Sequence, residues 1–157
     1  MQQPLLHIVL HSPEIPQNTG NIGRTCVAIN AKLWLVQPLG FQLNEKRLLR
    51  AGLDYWQHLD VEVVPSWDHA LTALGSPNIW YFSKRARTTY TNVQYQSGDV
   101  LVFGSETQGL PASLIDDNPD AALYIPIKPP VRSLNLSNAV AIAAYEANRQ
   151  LSIDNSP

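Results

Sequence analysis

Short apolar runs separated by polar, turn-rich segments recur along the whole chain, and their spacing predicts strands alternating with helices. "LLHIVL" (5–10) is too short for a helix and leads into the turn-rich "HSPEIPQNTG", so it reads as a strand followed by a long loop. "NIGRTCVAIN" (21–30) then reads as a helix capped by Asn18 or Thr19. "KLWLVQP" is a second strand ended by Pro38, "VEVV" a third, and "SWDHALTAL" a helix capped by Ser66. "NIWYF", "DVLVFG" and "ALYIPI" add three strands before a closing helix that is apolar nearly all round, the mark of a helix packed in an interface. This alternation implies an α/β fold, a mostly parallel sheet with helices on both faces.

Proline and glycine gather in "SPEIPQNTGNIG", "GSETQGLP" and "IPIKPP", each of which follows a predicted strand. Ligands of open α/β sheets bind outside the carboxyl ends of the strands, so three such loops suggest one site. The entry to the last helix, "RSLNLS" (132–137), adds more small and polar residues than a cap requires.

Composition narrows the class. A chain of 157 residues is the size of one domain, here 1–157. The single cysteine, Cys26, excludes a disulfide framework, and its place on a helix suggests a buried apolar role. The first residues lack the charge and apolar stretch of a secretory signal, and no apolar run approaches the roughly 20 residues that span a bilayer. The expectation is a soluble, cytoplasmic protein without membrane association. A net charge of -2 with 15% charged residues gives no global sign of a nucleic-acid partner. Two basic groups stand out, Lys46, Arg47 and Arg50 in "EKRLLR" and Lys84, Arg85 and Arg87 in "SKRAR". They read equally as solvated surface or as phosphate contacts.

Several chemistries fail on spacing. "NTGNIGR" lacks one glycine of the dinucleotide fingerprint G-x-G-x-x-G, its loop is too long, and Gln37 and Pro38 stand where a ribose-binding acid belongs. His7, His11, His58 and His69 show no metal-ligand spacing, so no metal is expected. Ser105 in "GSETQG" is not a nucleophile elbow. What remains is a polar, glycine-bearing edge with Arg24 beside Asn18 and Asn21, suited to a polar or anionic ligand.

Three segments together, "NTGNIGRTC" (18–26), "LVFGSETQGLP" (101–111) and "IPIKPPVRSLNLSNAVAIAAYE" (125–146), resemble the ordered motifs of the SPOUT superfamily of RNA methyltransferases. "PEIPQNTGNIGR" and "KRLLRAGLDYW" are similar to its small single-domain branch, which 2'-O-methylates the wobble nucleotide of tRNA. The resemblance covers nearly the whole chain. It implies a C-terminal trefoil knot, which periodicity cannot reveal and which is otherwise essentially absent from proteins. It also implies a homodimer with active sites near the subunit interface, S-adenosyl-L-methionine as cofactor, and the anticodon stem-loop of tRNA as partner.

Residue by residue, the resemblance implies that Phe82, Ile125 and Leu134 hold the adenine, Gly104 and Gly109 let the main chain approach the cofactor, and Ser133 lies near it. Asn135 and Ser137 tie the loop to itself and to the helix start, as ligand-loop residues or as plain caps. Arg24 matches the motif arginine that activates the 2'-hydroxyl. Because a guanidinium is protonated in proteins, gripping phosphate and stabilising the alkoxide is the expected role, rather than that of a base. Asn18 and Glu106 orient the site, Glu106 equally as partner of a backbone amide. Arg132, Arg47 and Arg85 are candidates for RNA phosphate, and Tyr145 is either catalytic or a dimer contact. Where relatives carry a glycine after the basic residue of the fourth strand's loop, this chain has Ala86. Methylation of another tRNA or rRNA site, or a catalytically silent RNA-binding protein, are the competing functions.

Overall fold

Strands that alternate large aliphatic residues to both sides can be buried on both faces, and the centre of this molecule is built that way. In the computed structural model, which describes residues 3–44 and 54–154, seven strands form one parallel sheet. They are β1 (Leu6–His11), β2 (Ala31–Val36), β3 (Val61–Val64), β4 (Ile79–Phe82), β5 (Thr88–Thr89), β6 (Val100–Phe103) and β7 (Ala122–Tyr124). Their order is β3-β2-β1-β6-β4-β7-β5. Leu6, Ile8 and Leu10 of β1 with Leu101 of β6 point to one face, and Val9, Val100 and Val102 to the other.

Helices α1 (Pro16–Ile29) and α4 (Leu136–Asp154) cover the first face through Ile22, Cys26, Ile29, Val140, Ala143 and Ala147. Helices α2 (Trp67–Leu74) and α3 (Ala112–Asp116) cover the second through Ala70 and Ile115. Short 3-10 turns occupy Asp54–His58 and Pro119–Ala121. Cys26 is fully buried, and burial pushes its thiol up to about 12. Among the described residues no helix is long and apolar enough to cross a membrane.

Ser66 caps α2 as expected, its hydroxyl accepting from the His69 amide at 3.2 Å. The start of α1 differs from expectation: the helix begins at Pro16, so Asn18 and Thr19 lie in its first turn instead of capping it. Proline suits the first helical position, where no amide is needed. The N-cap, Ile15, has no side-chain cap of its own, because the carboxylate that serves this end comes from Glu106. Helix α4 buries Val140, Ala143, Ala144 and Ala147 against the core. Its other side leaves Ile142 38% and Tyr145 49% exposed.

Chain order places the site. From β1 the strands run outward to β2 and β3, and the chain then returns to β4 on the far side of β6. The crevice over the carboxyl ends of β1, β6 and β4 is therefore the topological switch point, where open α/β sheets bind ligands.

Candidate functional site

A cavity of about 740 Å³ opens at that switch point, within the size range of small-molecule sites. Its floor is aromatic: Phe82 ends β4, Phe103 ends β6, and their rings stack with centroids 4.6 Å apart. The walls come from the loop 104–112 after β6, from Ile125 and Ile127 after β7, and from Ser133, Leu134 and Asn135 before α4. Each wall is one of the loops marked in the sequence by glycine, proline and small polar residues.

The loop after β6 turns back on itself. Gly109 donates its amide to the Ser105 carbonyl at 3.0 Å, and the Gln108 amide reaches the Ser105 hydroxyl at 3.2 Å. A Cβ on Gly104 would sit 2.0 Å from the Gly109 carbonyl carbon, so this glycine makes room for its own loop first of all. Gly104 also lines the cavity, so the close approach of loop to strand and the lining of the site fall on one residue. Gly109 has φ +67, a conformation that side chains disfavour, and nothing lies within 4 Å of where its Cβ would stand.

Side chains then lock this loop to the start of α1. The Glu106 carboxylate accepts from the Glu14 amide (2.7 Å), the Ile15 amide (3.1 Å) and Asn18 Nδ2 (3.3 Å). In return the Glu14 carboxylate accepts from the Thr107 hydroxyl (2.7 Å) and the Thr107 amide (3.1 Å). The Thr107 hydroxyl, then its amide, holds the Glu14 carboxyl below the usual range. Asn18 passes the connection on: its Oδ1 accepts from Asn135 Nδ2 at 3.0 Å. Asn135 Oδ1 in turn accepts from the amides of Ser137 (2.9 Å) and Asn138 (3.2 Å) and from the Ser137 hydroxyl, capping α4. Glu106, Asn18 and Asn135 thus join three chain segments around the cavity. Glu106 does so as a partner of backbone amides.

Lys84 and Arg85 stand at the rim. Arg85 Nη2 lies 3.7 Å from Asp116, but both side chains are more than half exposed, so the pair is weak and the guanidinium remains available. Ala86 is half-buried against the second face of the core. Among the expected residues, Phe82, Gly104, Glu106, Gly109, Ile125, Ser133, Leu134, Asn135, Asn18 and Arg85 line the cavity. Arg24, Arg132 and Tyr145 do not, and all three are exposed. Arg24 lies six residues beyond Asn18, ~9 Å further along the helix axis. Arg47, with the rest of its basic group, lies outside the described residues.

Sequence reasoning missed Glu14, Thr107 and Phe103. Phe103 had a signal, as the last apolar residue before the glycine loop. Glu14 and Thr107 had none, because they meet across 93 positions. Among the described residues no group of three or more His, Cys, Asp or Glu side chains could hold a metal.

The profile of the SpoU rRNA methylase family matches residues 5–145. A tRNA (cytidine(34)-2'-O)-methyltransferase of Aeromonas hydrophila is 44% identical over 148 residues, covering 94% of this chain and 95% of that protein. A solved structure concerned with the 2-OH methylation of C/U34 on tRNA is 47% identical, with a TM-score of 0.87 over 94% of this chain and 96% of its own. A Bacillus anthracis structure is 46% identical, with a TM-score of 0.89 over 92% and 93%.

Proposed function

From membership of the SpoU rRNA methylase family, to which this chain belongs, we propose that it methylates the 2'-oxygen of the wobble ribose, of cytidine or modified uridine, in the anticodon stem-loop of tRNA. The methyl donor is S-adenosyl-L-methionine. The observation that carries this reading is the convergence of the three family motifs on one cavity, in a chain that aligns almost end to end with relatives of that named activity.

The residues present fit the cofactor. The stacked Phe82 and Phe103 rings give a flat apolar floor for an adenine, and Gly109 leaves space where a side chain would stand. In this reading Phe82, Ile125 and Leu134 hold the base, Gly104, Gly109 and Ser133 line the remainder, and Glu106 and Asn135 fix the walls. The cofactor supplies a methyl carbon made electrophilic by its sulfonium.

Methyl transfer is an in-line displacement, so positioning of the 2'-oxygen carries much of the rate. The hydroxyl must also lose its proton or have its growing charge stabilised. Arg24, as a protonated guanidinium, grips the target phosphate and stabilises the forming alkoxide. Asn18 holds the helix start in line with the cavity. Arg132, Arg85 and Arg47 hold RNA phosphates, which offsets the mild acidity of the whole chain.

Arg24 and Tyr145 are exposed and away from their own cavity, and Ile142 and Tyr145 leave apolar surface on α4. The reading therefore includes a homodimer in which a second copy brings Arg24 and Tyr145 toward the cavity. It also includes the trefoil knot that family membership implies for the segment entering α4, and a cytoplasmic location, where tRNA is found.

The decisive experiment incubates the purified protein with labelled S-adenosyl-L-methionine and unmodified total tRNA, then maps the label by nuclease digestion and mass spectrometry. Label on the wobble ribose is the expected result. Label at another tRNA position or only on rRNA overturns the substrate, and absence of cofactor binding overturns the enzyme.

A further inference from the structure

The Arg24 side chain lies against Tyr55, to which the resemblance assigns no role. Its guanidinium carbon lies 5.6 Å from the centre of the Tyr55 ring, within the reach of a cation–π contact. The Tyr55 hydroxyl donates to the Gly20 carbonyl at 2.7 Å. Gly20 is the residue whose carbonyl an α-helix pairs with the amide of Arg24 itself. One tyrosine thus touches the arginine's side chain at one end and its helical turn at the other.

The turn carrying Tyr55 is pressed on α1. A Cβ on Gly23 would lie 2.8 Å from the Trp56 ring and 3.0 Å from Leu59, so glycine at this position admits the 3-10 turn Asp54–His58. The second glycine of "NTGNIGR", which spacing does not assign to a dinucleotide, has this packing role. Burial pushes the Tyr55 phenol above its ordinary value while Arg24 pulls it back, so the hydroxyl stays a donor at neutral pH.

An exposed arginine otherwise samples many rotamers, and freezing them during the reaction slows it. We infer that Tyr55 is a positioning residue for methyl transfer: its ring holds the Arg24 guanidinium in place, and its hydroxyl ties that ring to the turn from which Arg24 projects. This rests on the reading of Arg24 given above. Tyr55 lies outside the cavity lining, so the role assigned to it runs through Arg24.

The test compares Tyr55→Leu, Tyr55→Phe and Arg24→Ala in the full chain, measuring single-turnover methyl transfer to tRNA, KM for tRNA and Kd for S-adenosyl-L-methionine. Tyr55→Leu is expected to lower the transfer rate about tenfold, with cofactor Kd unchanged. Tyr55→Phe, which keeps the ring, is expected to restore most of the loss. If Arg24→Ala abolishes transfer while Tyr55→Leu matches the parent, the inference about Tyr55 fails and the role of Arg24 stands. If Arg24→Ala itself transfers normally, the reading of Arg24 fails with it. Loss of cofactor binding in Tyr55→Leu assigns Tyr55 to structure and overturns the inference, and no recovery in Tyr55→Phe overturns the role given to the ring.

Discussion

The two ends of the sheet are closed by different means. At the amino ends of β1 and β6, main chain bonds to main chain: Leu5 donates to Asn30, Gly98 to Leu5, and His7 to Asp99. There the buried Asp99 carboxylate accepts from Trp80 Nε1 of β4 and from the Gln96 amide of its own turn, both at 2.9 Å. At the carboxyl ends, closure falls to the side chains of Glu106, Glu14, Asn18 and Asn135, reaching across 88 to 117 positions. A site built by side chains leaves loop main chain facing a cavity. At the amino end the main-chain groups named above are paired with one another.

The largest expected contrast comes from two glycines. Gly104→Ala would drive a methyl into the Gly109–Leu110 backbone. Affinity for S-adenosyl-L-methionine, read by calorimetry, should fall about a hundredfold, roughly 2.7 kcal/mol. Gly98→Ala, at φ +90 with open space around it, should cost about 1–2 kcal/mol of stability and leave cofactor affinity unchanged. Equal affinity in the two variants would erase the distinction between the ends.

Next come the two carboxylates. Asp99→Ala and Glu106→Ala each strand donors, and each should cost about 2–3 kcal/mol in denaturant unfolding. Only Glu106→Ala should also weaken cofactor binding, by about tenfold, since it frees the wall of the cavity from α1. Phe82→Leu should do less. It removes the stack on Phe103, worth about 1 kcal/mol to the folded protein, so it should lower the melting temperature by about 2–4 °C and, by reshaping the cavity floor, raise cofactor Kd about fivefold.

How much of this was legible follows from the distance over which each feature is made. The six longer strands were readable as short runs rich in apolar residues, buried on both faces at the centre of the sheet and partly exposed in edge strand β3; two-residue β5 and five-residue α3 carry too little pattern. The Ser66 cap was readable because its acceptor and donor lie three positions apart. The start of α1 was not, because Glu106 caps it from 92 positions away. The same holds for the site. Phe82, Gly109, Ile125, Leu134 and Asn135 reach one cavity, in line with their motifs. Arg24, Arg132 and Tyr145 carry motif positions too, yet a single chain leaves them outside, and no local pattern marks Tyr55 as the partner of Arg24.

The smallest effect separates the ends by pH. Burial, then Lys32, lowers the pKa of His7 from 6.5, and its Nδ1 accepts from Trp34 Nε1 at 3.0 Å, which requires the neutral ring. Burial also lowers that of His11, at the other end of β1. Folded values below the unfolded one mean fewer protons bound when folded, so stability is complete above about pH 6.5 and declines as pH falls through the folded values. This decline is global and should show in the melting temperature. Glu14 follows the same sign lower on the scale. Its pKa is depressed below 4.5 by Thr107, so the lock it forms is complete above that pH and is lost as pH falls through the folded value. The Thr107 amide reports it directly. Its protection factor, exchange relative to an unstructured amide at the same pH, should hold steady between about pH 8 and 5, while the melting temperature is already falling, and should drop only in the acid range. Glu14→Gln should remove that acid step and leave the higher one in place. If Thr107 instead loosens in parallel with the histidines, the lock depends on β1, and the two ends of the sheet behave as one unit.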